Sequence, residues 1–395
     1  MPMRIAFTSD HFLPACSGAA VHTANLSLEL VRRGHHVVII TAHRPEQPAL
    51  ETWNGIRVYR TRSLHWNSDF YASIPTRKAI EDILRQENID IVHHQLLSVL
   101  ALTSSKAARS LGIKQLYTFN MMVDHITERS MFLRPFYHWI ENMATRFYNQ
   151  CDYITFPARK LQRQAQQMGI RVPTVYISNA TGIETASTVP MTKEPSTSFV
   201  ILSVGRLHEE KNVSGLIQAF AQFRARARDG ELWIIGDGYL KNKLVREAES
   251  KGLTPHIRFM GWVDHNELGR YFEQAAVFAL PSLFETQGMV AIEAMYYSLP
   301  ILVSRELISA MDLVEDGENG LLIDPRSPED LAEKLLQLYR DPARMKVMGT
   351  KGKKRFEEFR NEPIATAFEQ LYFKVLDTHR ATHNVVPTPA LQRGQ

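Results

Sequence analysis

The chain has 395 residues, of which 44% are hydrophobic and 22% are charged, and its formal net charge is +4. A chain of this length is expected to form two globular domains, and its ordinary composition excludes a disordered or fibrous protein. The mild positive charge gives no reason to expect a nucleic-acid partner.

Cysteine content and hydropathy both indicate a cytoplasmic protein. The two cysteines, Cys16 and Cys151, supply neither a disulfide framework nor a metal-ligand set, so we expect two free thiols. The N-terminal sequence MPMRIAFTSD begins a buried strand almost at once, which is not typical of a signal peptide. No apolar run approaches the ~20 residues that a membrane-spanning helix needs.

The first half of the chain alternates predicted strands and helices. A strand over residues 3–8 leads through the loop SDHFLPACSGAA to an amphipathic helix over residues 21–33, which ends at Gly34 and precedes the strand HHVVIIT. This order is typical of a doubly wound α/β domain. The loop carries only Ser17-Gly18 where a dinucleotide-binding fingerprint would have three glycines.

Two later strands end in candidate ligand contacts. The strand DIVHHQ, residues 90–95, contains His93 and His94, which either pack at the strand end or face a binding site. The strand KQLYTFNMMVDH, residues 114–125, runs into a loop. Because open α/β sheets bind ligands at the carboxyl ends of their strands, this loop is a site candidate.

Residues 129–148 contain a predicted helix from Pro135 onward, with one broad face of apolar and aromatic residues. One interpretation is a helix that faces the core and has a solvated back. The other is a membrane-surface helix, whose aromatic residues lie at the boundary while Arg129, Arg134 and Arg146 meet anionic headgroups.

The composition also predicts the domain boundaries. Residues 179–198 are rich in Thr, Ser and Pro and lack periodicity, which indicates a linker between a first domain of residues 1–178 and a second of residues 199–360. The second domain resumes the strand–helix alternation, which favours a parallel sheet with right-handed crossovers. A final helix over residues 361–380 and a loose tail over residues 381–395 follow.

The segment PSLFETQGMVAIEAM, residues 281–295, places Glu285 and Glu293 on either side of Gly288. A strand enters this segment and a helix leaves it, so unpaired backbone N–H groups at the helix start can bind an anion. The two carboxylates accept hydrogen bonds and suit the hydroxyls of a diol. These features describe a sugar-nucleotide site, and the alternative is two solvated glutamates at a helix start.

The segment VGRLHEEKN, residues 204–212, places Arg206 and Lys211 after a buried strand. Two fixed cations at a strand end can neutralise a diphosphate leaving group without a metal, although such residues are often only surface charge. Asp237 stands alone in GDG, with no D-x-D pattern beside it. We therefore predict no metal site and no other cofactor.

The two segments resemble the E-x7-E and G-R-x4-K signatures of the retaining glycosyltransferases of family 4, whose fold is called GT-B. The resemblance covers nearly the whole chain and is most specific in residues 200–340. It implies an α/β fold of two Rossmann-like β/α/β domains that face each other across a cleft. The first domain would bind the acceptor and the second the nucleoside diphosphate sugar, with the final helix crossing back to the first domain.

The resemblance also implies the donor contacts. Arg206 and Lys211 would stabilise the diphosphate, Glu285 would face the donor sugar, and Glu293 would hold the ribose. These three, Glu285, Arg206 and Lys211, are the predicted catalytic residues. The backbone N–H groups around Gly288 would also meet the diphosphate, and the loop GWV, residues 261–263, would meet the nucleotide base. The full predicted donor-binding set is Gly18, Arg206, Lys211, Trp262, Val263, Glu285, Gly288, Met289, Val290 and Glu293.

The acceptor side resembles the family less closely. Many members have a histidine where Asn120 falls, so either Asn120 positions the sugar or His125 takes that place. His94 and Asp124 complete the candidate set. The loop and the aromatic helix beyond it resemble the diacylglycerol glucosyltransferase branch, which implies a lipid acceptor and peripheral contact with the anionic inner face of the membrane.

The sequence therefore predicts a metal-independent retaining glycosyltransferase that moves a glucose-like hexose from a UDP-sugar to a hydroxyl acceptor. One alternative is the same reaction on a soluble small molecule or saccharide. Alternatives of other classes are a sugar-nucleotide epimerase on the same fold and a non-catalytic sugar-nucleotide-binding protein.

Overall fold

The computed structural model describes residues 2–13, 17–67, 70–120, 134–182, 198–227 and 229–383. The chain forms two compact units. Unit 1 comprises Met1–Thr155, Ala165–Ile177 and Ala365–Gln395, and unit 2 comprises Phe156–Gln164 and Ser178–Ile364. The chain therefore passes between the units at four points, after residues 155, 164, 177 and 364.

These boundaries differ from the predicted ones at residues 156–164, which we assigned to the first domain but which belong to unit 2. The backbone N–H of Arg159 donates to Oδ2 of Asp312 at 2.9 Å, which ties this segment to unit 2. The periodicity of so short a segment cannot show which sheet it packs against. Residues 183–197 of the predicted linker, and the predicted tail from residue 384 on, lie outside the described residues.

Strands and helices alternate through both units. The strands are β1 Arg4–Thr8, β2 His36–Ala42, β3 Leu50–Trp53, β4 Ile56–Thr61, β5 Ser63–Asn67, β6 Phe70–Ser73, β7 Ile91–His94, β8 Lys114–Thr118, β9 Tyr153–Phe156, β10 Thr174–Tyr176, β11 Val200–Val204, β12 Glu231–Ile235, β13 Ile257–Gly261, β14 Val277–Leu280, β15 Ile301–Ser304 and β16 Gly320–Ile323. The α-helices are α1 Gly18–Arg32, α2 Arg77–Gln86, α3 Val99–Ser110, α4 Tyr137–Tyr148, α5 Arg159–Gln164, α6 Val213–Arg224, α7 Lys241–Ser250, α8 Gly269–Gln274, α9 Met289–Tyr296, α10 Ala310–Leu313, α11 Pro328–Arg340, α12 Pro342–Phe356 and α13 Asn361–His383.

Unit 1 is built on an eight-stranded sheet in the order β10-β9-β8-β7-β1-β2-β4-β3. The pairs from β9 through β8, β7, β1 and β2 to β4 are parallel, and β3 adds to the edge in the antiparallel direction. Strands β5 and β6 form a separate antiparallel hairpin. The parallel core of this sheet confirms the predicted doubly wound arrangement.

Helix α1 begins three residues earlier than the periodicity predicted. Oγ of Ser17 accepts a hydrogen bond from the backbone N–H of Ala20 at 3.2 Å and so caps the helix at its N-terminus. Gly34 follows the helix with a φ of +87°, the left-handed conformation expected there. Ser17 therefore has a structural role as the N-terminal cap of α1.

Helix α13 contributes side chains to the core of unit 1. Phe368 and Tyr372 are fully buried, and the hydroxyl of Tyr372 is hydrogen-bonded to Nδ1 of His93 at 2.7 Å. Beside them, Oε2 of Glu369 pairs with Nη1 of Arg33 at 3.0 Å. The last helix of the chain thus packs against β7 and the end of α1 within unit 1.

Unit 2 is built on a six-stranded sheet in the order β13-β12-β11-β14-β15-β16, with every pair parallel. Successive residues of β11 point to opposite faces. Ile201 packs in a cluster with Leu216 of α6 and Leu335 of α11, whereas Leu202 packs in a second cluster with Ile292 of α9. Helices therefore cover both faces of the sheet, as the strand–helix alternation predicted.

Candidate functional site

The two motif segments lie at the point where the strand order of unit 2 reverses. From β11 the chain continues through β12 to β13 on one side, whereas β14 pairs with β11 on the other side. Connections leave the carboxyl ends of β11 and β14 in opposite directions, and the crevice between them is where open α/β sheets bind ligands. Arg206 follows β11 and Glu285 follows β14.

Three contacts hold these two loops together. Nζ of Lys211 forms an ion pair with Oε2 of Glu285. The backbone N–H of Leu283 donates to the carbonyl of Glu210 at 2.8 Å, and Nδ2 of Asn212 donates to the carbonyl of Pro281 at 3.3 Å. The structure therefore brings together the predicted pair Lys211 and Glu285, although 74 positions separate them in the chain.

The two predicted cations differ in exposure. The Arg206 side chain is 54% exposed and its Nη2 lies 3.2 Å from Oε1 of Glu210, whereas the Lys211 side chain is only 15% exposed. Both residues line one small concavity together with Gly205 and Leu280. A phosphate group in this concavity would meet the exposed guanidinium of Arg206 and the largely buried ammonium of Lys211, which its ion pair with Glu285 holds in place.

Close backbone packing beneath the concavity requires glycine at position 236. Gly236 has a φ of +135°, and a Cβ there would lie 1.9 Å from the carbonyl oxygen of Gly205. No side chain can be accommodated at that distance. The loop after β12 can therefore approach the end of β11 closely.

Helix α9 presents its N-terminus from the same loop region. Gly288 precedes the helix with a φ of +71°, and a Cβ there would lie 3.0 Å from Cδ2 of Leu280. No side-chain hydrogen bond caps the helix, and Met289 and Val290 of its first turn are partly exposed. Uncapped N–H groups at a helix start favour an anion. The contact of these groups with a diphosphate stays a prediction.

Glu293 lies one turn further along α9 and is 3% exposed. Burial raises the pKa of its carboxyl to about 8. Its Oε2 has no hydrogen-bond partner in the described part of the chain, and its Oε1 lies 4.0 Å from Nε2 of His265. Buried polar atoms are nearly always hydrogen-bonded. The unpaired Oε2 of Glu293 is therefore suited to accept a hydrogen bond from a ligand hydroxyl.

The predicted base-binding residues lie in the loop that follows β13. Trp262 is largely exposed, whereas Val263 packs partly against the cluster that contains α9. Both residues therefore lie at the carboxyl edge of the unit 2 sheet, the edge that carries Arg206 and Glu285. Their contact with the base stays a prediction.

Two histidines of unit 1 do not face a ligand site, contrary to the prediction for His94. The His94 ring is fully buried, with Nδ1 hydrogen-bonded to Oγ1 of Thr8 at 2.7 Å and Nε2 to Oε1 of Gln115 at 3.1 Å. Burial lowers its pKa to about 4. His93 is likewise buried and bonded at both ring nitrogens. Because β7 is covered on both faces, both of its adjacent histidines point into packed structure.

The remaining acceptor candidates are only partly described. Nδ2 of Asn120 donates to the carbonyl of Gln95 at 3.0 Å, which holds the amide at the carboxyl end of the unit 1 sheet. Asp124 and His125 lie outside the described residues. Gly18 is exposed at the first position of α1, and its donor contact stays a prediction.

Helix α4 divides its apolar residues between two sides. Ile140, Ala144 and Phe147 are buried, as a core-facing helix requires. Trp139 is 66% exposed, and Phe136 just before the helix is 57% exposed. Each of the two interpretations of this segment therefore accounts for part of it.

Within the ranges that the structure describes, no helix is both long enough and apolar enough to cross a membrane. Within the same ranges, His, Cys, Asp and Glu side chains form no group of three or more that could hold a metal ion.

Sequence reasoning missed three residues that shape the site. Asn212 adopts a left-handed conformation with a φ of +52° and joins the two loops. Gln287 is buried, accepts from the N–H of Asn179 at 3.2 Å and donates to Oγ of Ser178, which secures the loop before α9. His265 approaches Glu293. An Asn directly before a helix and a Gln inside the E-x7-E segment were visible signals, whereas His265 carried none.

Two family models match this chain. The model described as Glycosyltransferase Family 4 matches residues 16–184, and the model described as Glycosyl transferases group 1 matches residues 188–355. The second match contains both motif segments of unit 2. Together the two matches span most of the chain.

Named relatives are similar over long stretches. Alpha-monoglucosyldiacylglycerol synthase of Acholeplasma laidlawii is 25% identical over 405 residues, which cover 97% of this chain and 100% of the relative. The protein of the same name from Streptococcus pneumoniae is 26% identical over 316 residues, which cover 76% of this chain and 70% of the relative.

Solved structures share the fold. Sucrose-phosphate synthase from Thermosynechococcus elongatus has a TM-score of 0.78 at 22% identity, covering 95% of this chain and 100% of that one. Anabaena HepE, solved in complex with UDP and glucose, has a TM-score of 0.75 at 17% identity, and the match covers 94% of this chain and 100% of that one. At these identities the likeness establishes the fold alone.

Proposed function

The chain belongs to the family 4 glycosyltransferases of the GT-B fold, and from that membership we propose that it is a metal-independent, retaining hexosyltransferase that uses a UDP-sugar. The observation that supports this proposal most is the arrangement of Arg206, Lys211 and Glu285 at one switch point of a parallel sheet. It combines two cations for a diphosphate with a carboxylate for a sugar.

In the proposed reaction the leaving diphosphate acts as the base that accepts the proton of the acceptor hydroxyl. The acceptor hydroxyl oxygen bonds to the anomeric carbon on the face from which the diphosphate departs, and the bond between that carbon and the phosphate oxygen breaks. The departing phosphate oxygen takes the hydroxyl proton. Arg206, Lys211 and the first N–H groups of α9 stabilise the negative charge that develops, so the scheme needs no metal.

The two glutamates have separate roles in this proposal. Glu285, fixed by its ion pair with Lys211, orients the transferred sugar. Glu293, buried on α9, accepts hydrogen bonds from the ribose hydroxyls. The single displacement proposed here asks neither of them to act as a covalent nucleophile.

We propose a membrane lipid such as diacylglycerol as the acceptor. Two relatives named alpha-monoglucosyldiacylglycerol synthase support this choice, and so do the exposed Phe136 and Trp139 of the α4 region. Aromatic side chains at a protein surface are typical of contact with a membrane interface. The enzyme would then work at the inner face of the membrane.

The test incubates the purified protein with radiolabelled UDP-glucose and a lipid extract. We expect a new labelled glycolipid whose anomeric configuration, read by NMR, matches that of the donor. Activity should survive excess EDTA, and a loss that Mg²⁺ or Mn²⁺ restores would contradict the metal-free scheme. Label in a soluble product would favour a saccharide or small-molecule acceptor, and no release of a nucleoside diphosphate from any donor would contradict the enzyme assignment.

A further inference from the structure

The Glu293 carboxyl and the His265 imidazole lie close together in unit 2, and each carries one unpaired buried atom within the described residues. Oε2 of Glu293 and Nε2 of His265 each lack a hydrogen-bond partner within the described residues, and both atoms are buried. Oε1 of Glu293 lies 4.0 Å from Nε2 of His265. This distance is too long for a direct hydrogen bond, but a hydroxyl oxygen can sit about 2.8 Å from both atoms.

Local structure holds each side chain in place. His265 begins the short 3-10 turn His265–Glu267 after β13, and Oδ1 of Asp264 accepts from the N–H of Asn266 at 2.9 Å to cap that turn. Glu293 is fixed on α9 within the apolar cluster of the sheet. The fold therefore holds the two side chains next to each other.

We propose that His265 and Glu293 together form a diol clamp for the donor ribose, in which one ribose hydroxyl donates to Glu293 and accepts from protonated His265. The inference rests on the proposed donor function and adds His265 to it as a binding residue. On binding, the proton of the Glu293 carboxyl moves to Nε2 of His265. One O–H bond breaks and one N–H bond forms, so the pair takes up no proton from solvent.

The electrostatics of the pocket agree with this proton transfer. Burial raises the pKa of Glu293 to about 8, so its carboxyl holds a proton at neutral pH. Burial lowers the pKa of His265, with Asp264 opposing, so the free imidazole is neutral and can accept that proton. An ionised carboxylate accepts hydrogen bonds at both oxygens and donates none, whereas a protonated carboxyl keeps one O–H donor, so the binding of two hydroxyl donors favours the transfer.

The other titratable groups around the pair do not take this proton. Tyr297, directly after α9, has a pKa raised to about 12 by burial and by neighbouring charges, so it stays neutral. Glu273 on α8 acts on Tyr297, and Lys353 on α12 lies over the Tyr296 ring at 5.6 Å. The burial that raises the pKa of Glu293 is therefore not offset by any of these groups.

The test measures nucleotide binding by titration calorimetry, which requires no acceptor and no turnover. UDP, ADP and GDP are titrated into the wild type and into His265→Gln near pH 7.5, in two buffers of different ionisation enthalpy. His256→Gln is the matched control, since His256 precedes β13 whereas His265 follows it. The 2′,3′-dideoxy form of the nucleotide that binds serves as the diol-free probe.

For the wild type we expect no proton release beyond that of the nucleotide itself. His265→Gln should bind the nucleotide about tenfold more weakly, the loss expected for a hydrogen bond to a charged group, and should release about one additional proton. The dideoxy probe should bind both proteins equally, and His256→Gln should match the wild type.

Two other results separate the two levels of the proposal. If a nucleotide binds but His265→Gln matches the wild type in affinity and proton release, the diol clamp is overturned while the donor function stands. If none of the three nucleotides binds the wild type, the donor function itself fails and the clamp fails with it.

Discussion

Lys211 and Glu285 form an ion pair, so a substitution of either residue also changes the surroundings of the other. Lys211 is largely buried and its ammonium is held by the Glu285 carboxylate, whereas Arg206 is paired with Glu210 in its own loop. A diphosphate at Arg206 and Lys211 would compete with both carboxylates. Substitutions at Glu285 should therefore preserve its shape, because removing the whole side chain would also release Lys211.

Arg206→Ala and Lys211→Ala should each lower kcat far more than they lower stability. Each removes one fixed stabiliser of the charge that develops on the diphosphate, and such a loss costs about 10²–10³-fold in rate. The measurement is steady-state turnover at saturating donor, with thermal unfolding of each variant as a check. Arg226→Ala is the control, because Arg226, in the turn after α6, forms an exposed ion pair with Glu333 of α11. Near-normal turnover in both variants would remove the diphosphate assignment.

Glu293→Gln should mainly raise the donor KM, whereas Glu285→Gln should mainly lower kcat. The ribose is remote from the breaking bond, so its contact has about the same strength in the ground state and the transition state. Glu285 lies beside the sugar in the proposed complex, where charge develops. Steady-state kinetics with varied donor separate the two effects, and the reverse pattern would exchange or remove the roles.

Helix α4 has one side in the core of unit 1 and one side exposed to solvent. Its buried side, with Ile140, Ala144 and Phe147, belongs to unit 1, so the helix is a core element on that side. The exposed Trp139, Phe136 and Arg146 are available to a membrane surface. A helix of this kind can serve the core and a bilayer at once, because its two sides are chemically different.

We expect the protein to bind vesicles that contain anionic lipid, and to bind them less at high salt. Each Arg near an anionic leaflet contributes about 1 kcal/mol over a Debye length of about 8 Å. The variant is Arg129→Gln/Arg134→Gln/Arg146→Gln. Arg129 and the side chain of Arg134 lie outside the described residues, so Phe136→Ser/Trp139→Ser provides a second variant at positions that the structure shows exposed. Co-sedimentation of all three proteins to the same extent would leave α4 as a core helix only.

The elements predicted from the sequence follow its local signals closely, and the errors arise where burial depends on distant segments. The strand ends that carry Arg206 and Glu285 could be located because each joins an apolar run to a polar loop. His94 could not be assigned, because a strand covered on both faces looks the same whether its last residues meet a core or a ligand. Its burial depends on Thr8 and Gln115 from neighbouring strands.

Long-range pairings in the site had no local signal either. The ion pair of Lys211 and Glu285 forms because β11 and β14 are neighbours in the sheet. The sequences of the two β–α loops do not predict that strand order. The approach of His265 to Glu293 depends on the packing of a short turn against α9. Family resemblance supplied the roles of the glutamates and cations, but it supplied no role for His265.

The molecule as a whole should respond to acid in opposite ways in its two units. In unit 1, burial lowers the pKa of His22 to about 3 and of His94 to about 4, and it lowers that of His93 well below its usual value. Unfolded histidines take up protons near pH 6.5 and these folded ones do not, so unit 1 loses stability as the pH falls below about 6.5. The raised pKa of Asp10 has the opposite effect on stability, but it is one group against the three histidines.

Unit 2 has the opposite dependence. Glu293 keeps its proton up to about pH 8 when folded, whereas an unfolded glutamate ionises above about pH 4.3. Unit 2 therefore loses stability as the pH rises through that window and gains it on acidification, by at most about 1.4 kcal/mol per pH unit. The raised pKa of Asp312 acts in the same direction, and the lowered pKa of His265 acts against it.

Hydrogen exchange near pH 7.5 and near pH 5.5, followed by mass spectrometry, can assign stability to each unit. Amides of β1 and β7 should lose protection in acid, while those of β11 and β14 should keep or gain it. Glu293→Gln provides the control, since it should flatten the pH response of unit 2 and leave that of unit 1 unchanged. Equal loss of protection in both units would contradict the expected signs.

The place of α13 in unit 1 has a consequence for biosynthesis. Domains generally fold as they emerge from the ribosome, the N-terminal one first. Here α1 and β7 of unit 1 pack against Phe368 and Tyr372, which are made late, whereas the strands of unit 2 are complete by Ile323. We therefore expect the C-terminal unit to fold first and the N-terminal strands to wait in a chaperone-accessible state. Ribosome-arrested chains ending at Ile364 should show a protease-resistant unit 2 beside a protease-sensitive unit 1.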